Sequence, residues 1–137
     1  MASIRREIAV DAAADHVWDA VRDFGNVHKR VVPGFVTDLK LEGEARIVTF
    51  ANGSVAREIL VGIDEEARRL VYTIPSPRLT AHSASVQVFD APGGICRLVW
   101  ITDVLPNEIA DYIGQQMDSA LPIMRETLAA EGARATA

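Results

Sequence analysis

The sequence lacks the features of a secreted, disulfide-bonded or membrane-spanning protein. It has one cysteine, Cys96, in 137 residues, which excludes an intramolecular disulfide and is typical of a reducing compartment. The opening stretch MASIRREIAV has no apolar run of the length that a signal peptide needs. No segment of the sequence reaches the length of a membrane span. We therefore expect a cytoplasmic location and no membrane span.

The sequence also lacks a cluster of basic residues. Lysine and arginine together number 14 against 19 aspartate and glutamate residues, which gives a formal net charge of −5. Neutralisation of phosphates supplies most of the affinity of nucleic-acid binders. An acidic chain without a basic patch is therefore expected not to bind nucleic acid.

Known catalytic and cofactor motifs are missing too. The sequence contains no G-x-S-x-G elbow, no P-loop and no G-x-G-x-x-G fingerprint. Its three histidines, His16, His28 and His82, and its one cysteine show no metal-ligand spacing. We expect no metal and no cofactor, and the sequence leaves open whether the chain is an enzyme.

The sequence contains enough apolar residues for a core, and they follow regular periods. Hydrophobic residues make up 49% of the chain, which we expect to form one domain over 1–137, ordered from about 3 to 130. Residues 3–10 read as a strand. Asp11 is a good N-cap for a helix ended by Gly25, and NVHKRVV (26–32) reads as a second, short helix or turn.

The middle of the chain reads as strands and its end as one long helix. Short turns separate the strand candidates, which predicts an antiparallel meander from the segments 34–43, 45–50, 55–64, 69–75, 79–89 and 96–104. A helix follows from Pro106 to about Ala130, with an apolar stripe that includes Met117. We expect Pro122 to bend this helix and GARATA to form a frayed tail.

This order of elements and three stretches of sequence resemble a known family. The stretches are DHVWDAVRDF (15–24), AREILVGIDEEARRLVYTI (56–74) and LVWITDVLP (98–106). They are similar to the polyketide cyclase/dehydrase and lipid-transport branch of the superfamily that includes StAR-related lipid-transfer domains and pollen allergens. The resemblance implies an α+β helix-grip fold. In that fold a curved antiparallel sheet of about seven strands wraps a long C-terminal helix, and two short helices follow strand 1.

His82 is the first candidate for a functional role. In LTAHSASVQVF (79–89) it shares parity with Ala84, Val86 and Val88, so it should face inward. A buried imidazole needs a hydrogen-bond partner, a water or a ligand. The resemblance implies a cavity between the sheet and the helix that holds small hydrophobic molecules. His82 is therefore either a core histidine satisfied by a neighbour or part of the cavity wall.

Other candidates follow from parity and from the resemblance. Tyr72 and Trp100 should face the concave side, where an apolar ring with a polar handle can orient a ligand. Met117 lies in the middle of the helical stripe and suits an adaptable pocket. Plain core packing is the alternative for all three. The family implies that the segment containing His28 borders the cavity mouth, although a solvated loop histidine is the alternative reading.

Glu58 poses a conflict between parity and resemblance. If Ile59, Val61 and Ile63 face inward, then Arg57 faces inward and Glu58 faces solvent. Matching to the family implies instead that an acidic residue at this position faces the cavity. A bulge, or a sheet covered on both faces, would reconcile the two. The sequence leaves this choice open.

Three hypotheses for the function follow. The first is binding of a small hydrophobic or aromatic, lipid-like molecule in the cavity. The second is an enzyme similar to polyketide cyclases, with His82 or Glu58 as acid or base. The third is a regulatory module in which ligand occupancy moves residues 26–34. The outward parity of Val99 and Ile101 also suggests a covered outer face or a homodimer contact.

Overall fold

A computed structural model of the chain describes residues 2–136. It has seven strands, three α-helices and two short 3₁₀ turns, at Phe24–Asn26 and Asn107–Ile109, within those residues. In chain order the strands and helices are β1 (Ala2–Val10), α1 (Ala14–Arg22), α2 (Val27–Arg30), β2 (Val36–Glu42), β3 (Ala45–Phe50), β4 (Val55–Asp64), β5 (Arg69–Thr73), β6 (Ala81–Asp90), β7 (Cys96–Leu105) and α3 (Ala110–Thr136).

The strands form one antiparallel sheet in the order β1-β7-β6-β5-β4-β3-β2. Strands β2 to β7 pair with their neighbours along the chain, and β1 pairs with β7 over its whole length. The alternation of apolar and polar residues together with short turns is sufficient to specify such a meander. The predicted meander and the α+β class are therefore confirmed.

The long helix α3 packs against the sheet through one stripe of its surface. Met117, Ala120, Met124 and Leu128 are all at most 3% exposed, and the last three join side chains of α1 and the sheet in one core cluster. Spacings of three and four residues place them on one face of the helix. Among residues 2–136, no helix has both the length and the apolar character required to cross a bilayer.

The boundaries of α1 differ from the sequence prediction. The helix begins at Ala14 after Ala13, and Asp11 lies in a bend where the N–H of Ala12 donates to the carbonyl of Val10. The helix ends at Arg22, three residues before Gly25. Gly25 instead lies close to β2, because a Cβ atom there would come within 2.9 Å of Leu41 Cδ1. Close packing, rather than termination of a helix, accounts for this glycine.

The C-terminal helix is longer than predicted. It continues beyond the predicted end near Ala130 to Thr136, so residues 132–136 are helical where the sequence predicted a frayed tail, and Ala137 lies outside the described residues. Gly132 lies so close to Ala12 that a Cβ atom would collide with the alanine side chain. Glu131 accepts hydrogen bonds from Arg30 at 3.2 Å and pairs with Arg134 at 2.8 Å. These contacts stabilise the last turns. Pro122 lies inside the helix, and the bend expected there stays a prediction.

Val99, on the outer face of β7, is covered within the chain. Val99 is only 5% exposed and lies between its cross-strand neighbours Glu7 and Gln87. Long side chains on neighbouring strands can cover an apolar residue in this way. Its burial therefore needs no second copy of the chain, and a homodimer stays a prediction.

Candidate ligand-binding cavity

A cavity of about 200 Å³ lies between the sheet, α2 and α3. Most of its wall is apolar: α2 and the segment after it contribute Val27, Val31 and Phe35, α3 contributes Met117 and Met124, and β3 contributes Phe50. The exposed residues Ser54 and Tyr112 also line it, so they mark the side where it meets solvent. A mainly apolar hollow with a few polar groups is the usual form of a small-molecule site.

Arg30 fixes α2 beside this cavity. Its guanidinium pairs with Asp19 at 2.8 Å, with Asp23 at 3.0 Å and with Glu131 at 3.2 Å. One side chain thus links α2 to α1, to the turn that follows α1, and to α3. Because Val27 and Val31 are on either side of Arg30 in the chain, this network also fixes part of the cavity wall.

Tyr72 and His82 lie on neighbouring strands and face the same cavity. Tyr72 is directly opposite Ala84 in the pairing of β5 with β6. His82 precedes Ala84 by two residues in β6 and therefore lies on the same face of the sheet. Their ring centroids are 6.1 Å apart and the rings are tilted by 40°. Burial, and next the negative charge of Glu58, raise the pKa of Tyr72 well above its ordinary range. Tyr72 is therefore a neutral phenol.

His82 has a defined protonation state in this site. Its Nδ1 accepts a hydrogen bond from the backbone N–H of Ile74 at 3.1 Å, and its carbonyl accepts one from the hydroxyl of Thr73 at 2.7 Å. An imidazole nitrogen that accepts carries no proton, so the proton is on Nε2. Burial lowers the pKa of His82 below its ordinary value, against a smaller opposing effect of Asp103. Both readings of His82 therefore apply: a backbone partner satisfies one nitrogen, and the ring lines a cavity.

Arg46 and Glu58 form an ion pair inside the cavity wall. Arg46 Nε donates to Glu58 Oε1 at 2.7 Å, and the two side chains are 7% and 9% exposed. Arg46 Nη1 also donates to the carbonyl of Phe24 at 3.1 Å. Its guanidinium lies 4.1 Å from the ring centroid of Phe24 and 5.3 Å from that of Tyr72. The charge of Arg46 is thus compensated by a carboxylate and by aromatic faces.

The orientation of Glu58 settles the parity left open by the sequence. Glu58 is 6% exposed, whereas Arg57 points outward and lies 3.7 Å from Glu42. The assumption that Val61 faces inward was wrong, because its side chain is 62% exposed. The register of β4 shifts between Leu60 and Gly62, and such an irregularity interrupts the simple alternation along a strand.

Trp100 has a buried polar atom without a hydrogen bond. The residue lines the cavity, and its Nε1 finds no acceptor among residues 2–136. The indole interacts with the Tyr72 oxygen, which slightly opposes the rise of the Tyr72 pKa, but it does not reach hydrogen-bonding geometry. A buried N–H that loses water without a partner costs about 1–3 kcal/mol.

Five of the six predicted site residues lie in the wall of this one cavity: Glu58, Tyr72, His82, Trp100 and Met117. His28 does not, although its neighbours Val27 and Val31 do. Its Nδ1 is buried and has no hydrogen-bond partner in the described part of the chain. The prediction that the segment around His28 borders the cavity thus holds for its valines and not for the histidine.

Sequence reasoning missed Arg46. The available signal was parity, since Arg46 shares its face with the inward residues Val48 and Phe50. A charged residue on the same face of a strand as the buried apolar residues that follow it points to a buried partner. That partner is Glu58, which is directly opposite Arg46 in the pairing of β3 with β4. The register that joins them was not available from the sequence.

Neither metal ligation nor thiol chemistry finds support in the described residues. Within 2–136, no three His, Cys, Asp or Glu side chains come close enough together to hold a metal ion. Cys96 is fully buried, and burial raises the pKa of its thiol to about 11. A buried, protonated thiol is inert as a nucleophile. The buried polar groups of the cavity wall include those of Tyr72, His82 and Trp100 and the Arg46–Glu58 ion pair, and Thr102 and Gln116 line the cavity as well.

Comparison with known proteins agrees with the geometry. The model of a family described as polyketide cyclase/dehydrase and lipid transport matches residues 1–133. A protein from Thermobifida fusca with a known solution structure is 32% identical, with a TM-score of 0.75, and the match covers 98% of this chain and 95% of that one. No curated protein is similar enough to this sequence to count as a match.

Two more distant structures share the fold. A START superfamily protein from Mycobacterium smegmatis is 11% identical with a TM-score of 0.72, and the match covers 96% of this chain and 97% of that one. Norcoclaurine synthase from Thalictrum flavum, in complex with dopamine and hydroxybenzaldehyde, is 19% identical with a TM-score of 0.70. That match covers 93% of this chain and 84% of the synthase. The helix-grip fold implied by the sequence is confirmed.

Proposed function

The chain belongs to the polyketide cyclase/dehydrase and lipid-transport family, and on that premise we propose that it binds a small, mainly apolar ring compound between its sheet and α3. The observation that carries this proposal is the cavity itself. Its apolar wall supplies the driving force for binding, because a ligand there leaves water for apolar surroundings. Its polar groups converge from β5, β6 and β7, where they can orient the ligand.

The size of the cavity limits the ligand. A cavity of roughly 150 Å³ in another protein is large enough for benzene. The volume here, about 200 Å³, therefore suits one ring with a short substituent better than a long chain. The complex of norcoclaurine synthase with dopamine and hydroxybenzaldehyde supports this size class, because both compounds have a single aromatic ring.

Chemistry similar to that of polyketide cyclases is the second candidate. It is favoured by a carboxylate and an imidazole, Glu58 and His82, in the wall of one cavity. A general base must reach the proton it removes, and Glu58 Oε1 is already engaged by Arg46 at 2.7 Å. We therefore rank binding first. Turnover that survives both Glu58→Gln and His82→Asn would exclude these residues as acid and base.

The binding proposal is tested by filling the cavity. Val86 is 9% exposed on the cavity wall, so Val86→Phe would place a ring in the space of the ligand. We expect toluene to shift the amide resonances of cavity residues in the wild-type protein, and Val86→Phe to weaken its binding by at least about tenfold, since overfilled space is costly. Two-dimensional NMR titration measures both effects.

A matched control uses the same substitution outside the cavity. Val61 is 62% exposed, so Val61→Phe should bind toluene as the wild-type protein does. Native mass spectrometry of freshly purified protein, with extraction of any adduct, adds the identity of a co-purified ligand. Toluene that leaves the cavity resonances unchanged, or binds Val86→Phe as tightly as the wild type, would contradict the proposal.

A further inference from the structure

We propose that the polar end of the cavity recognises a neutral carbonyl oxygen, held by the hydroxyl of Tyr72 and the Nε2–H of His82. The ligand class is then an aromatic ketone or aldehyde. This inference rests on the proposed binding function, and it assigns Tyr72 and His82 as the residues that determine specificity. It depends on which donors remain available in the wall after the contacts within the chain have been made.

His82 is a donor toward the ligand because its other nitrogen is occupied. The N–H of Ile74 fixes Nδ1 as an acceptor at 3.1 Å, which leaves the single ring proton on Nε2. Among the described residues, Nε2 makes no hydrogen bond. The ring lines the cavity, so this donor is available to a molecule inside it.

Tyr72 is the second donor. No side chain or backbone group among residues 2–136 accepts its proton in a hydrogen bond, and the neutral polar side chain that interacts with its oxygen, Trp100, is itself a donor. An indole N–H near the phenol oxygen favours a phenol proton that points away from the indole. The Tyr72 proton is thus available for an acceptor supplied by the ligand.

The spacing of the two side chains suits one shared acceptor. Diagonal neighbours on adjacent strands are about 7–8 Å apart at the backbone, and the two rings approach to 6.1 Å between centroids. A carbonyl oxygen has two lone pairs and can accept two hydrogen bonds at once. An ammonium group, which has donors and no acceptor, would place further donors against these two donors and would leave all of them without acceptors.

Charge excludes an anionic acceptor at the same place. The positive charge of Arg46 is engaged by Glu58 at 2.7 Å, and at the Tyr72 hydroxyl the negative charge of Glu58, which raises the pKa of the phenol, has a larger effect than the positive charge of Arg46, which lowers it. A carboxylate ligand would meet the same repulsion and would also lose its own hydration. A neutral oxygen avoids both costs.

The test compares two probes of the same shape. Acetophenone has a ketone oxygen where α-methylstyrene has a methylene carbon, so the two compounds differ in hydrogen bonding and fill nearly the same volume. We expect the wild-type protein to bind acetophenone about five- to tenfold more tightly, as one or two neutral hydrogen bonds allow. Benzoate and 1-phenylethylammonium should bind more weakly than acetophenone. NMR titration measures all four affinities.

Two variants test whether the preference for acetophenone over α-methylstyrene comes from the Tyr72 hydroxyl and the His82 Nε2–H. Tyr72→Phe keeps the ring, and His82→Asn keeps an oxygen near the position of Nδ1 for the Ile74 N–H. Each should lower the preference for acetophenone about threefold or more and leave the affinity for α-methylstyrene unchanged, which also shows that the variant is folded. His16→Asn makes the same exchange in α1, outside the cavity wall, and should retain the preference. In wild-type protein, acetophenone should also shift the Nε2–H resonance of His82.

The outcomes separate this inference from the proposed function. Equal binding of acetophenone and α-methylstyrene would overturn the carbonyl assignment and keep the binding function. Loss of the preference in His16→Asn as well as in His82→Asn, or tighter binding of benzoate, would also overturn the assignment. Failure of both probes and of toluene to bind at millimolar concentration would overturn the binding function itself.

Discussion

Arg46 and Glu58 lie opposite each other on β3 and β4, and each compensates the charge of the other inside an apolar wall. The pair also connects distant parts of the chain, because Arg46 contacts the carbonyl and ring of Phe24 next to α1. Removing two charges from water is costly even when they are paired. We therefore expect the pair to fix the position of β3 relative to the turn after α1 and to add little to the free energy of unfolding.

The Arg46–Glu58 pair leads to a prediction about single and double substitutions. Glu58→Gln leaves the Arg46 charge buried without its counterion, so we expect the free energy of unfolding to fall by about 3–5 kcal/mol. The double variant Arg46→Met/Glu58→Leu removes both charges, and its stability should lie within about 1 kcal/mol of the wild type. Urea unfolding followed by tryptophan fluorescence measures both. A double variant less stable than Glu58→Gln would show that the pair itself is strongly stabilising.

At the scale of elements, α3 contacts two separate parts of the fold: the cavity and the segment between β1 and α1. Its middle covers the cavity through Met117, and its last turns pack against the segment between β1 and α1 through Gly132 and Ala12. The spacing of apolar residues along the sequence does not predict such a contact, because GARATA has no apolar stripe. The sequence therefore predicted a tail where the structure has a docked helix.

Two glycines of α3 give a matched pair of substitutions. Gly114→Ala would bring Cβ to 3.1 Å from the flexible end of Arg6, which can move, so the higher helix propensity of alanine should raise the free energy of unfolding by up to about 1 kcal/mol. Gly132→Ala would collide with Ala12, and we expect a loss of about 1–2 kcal/mol despite the same gain in propensity. Thermal unfolding compares them. Equal stabilisation by both would show that Gly132 is not closely packed.

At the scale of the whole molecule, the cavity links stability to pH through His82. Its pKa is lower in the folded protein than its ordinary value of 6.5, because burial opposes the charged ring. Between the folded and the ordinary value the unfolded chain binds more protons than the folded one. Stability from this histidine is therefore complete above pH 6.5 and is lost as the pH falls toward the folded value.

We expect the free energy of unfolding to fall on acidification from pH 7 and to fall less steeply in His82→Asn. The carboxyl groups of Glu7, Glu65 and Asp118 have pKa values below their ordinary values of 4.5 or 3.8 because of arginine partners, so their contribution is lost only at lower pH. Urea unfolding at intervals between pH 7.5 and 5 measures the contribution of His82 above the pH range in which these carboxyl groups titrate. Identical pH dependence in wild type and His82→Asn would contradict the lowered pKa.

Several features of the fold could be read from the sequence because they depend on local periodicity. Alternation along residues 79–89 identified the inward face of β6, and the stripe containing Met117 identified the buried face of α3. Tyr72 and Trp100 were assigned to the concave side in the same way. These patterns are strong because a strand or helix with one buried face must repeat its apolar residues with the period of the element.

The sequence by itself thus determined the order of elements, the antiparallel meander and the inward orientation of Tyr72, His82, Trp100 and Met117, which line the cavity. The tertiary structure alone decided that Glu58 faces Arg46, that His28 lies outside the cavity wall, and that residues 132–136 continue the helix. The physical reason is that these features depend on register between strands and on contacts between residues far apart in the chain. A shift of one residue reverses every side chain of a strand, and no local pattern records which partner a buried charge will meet.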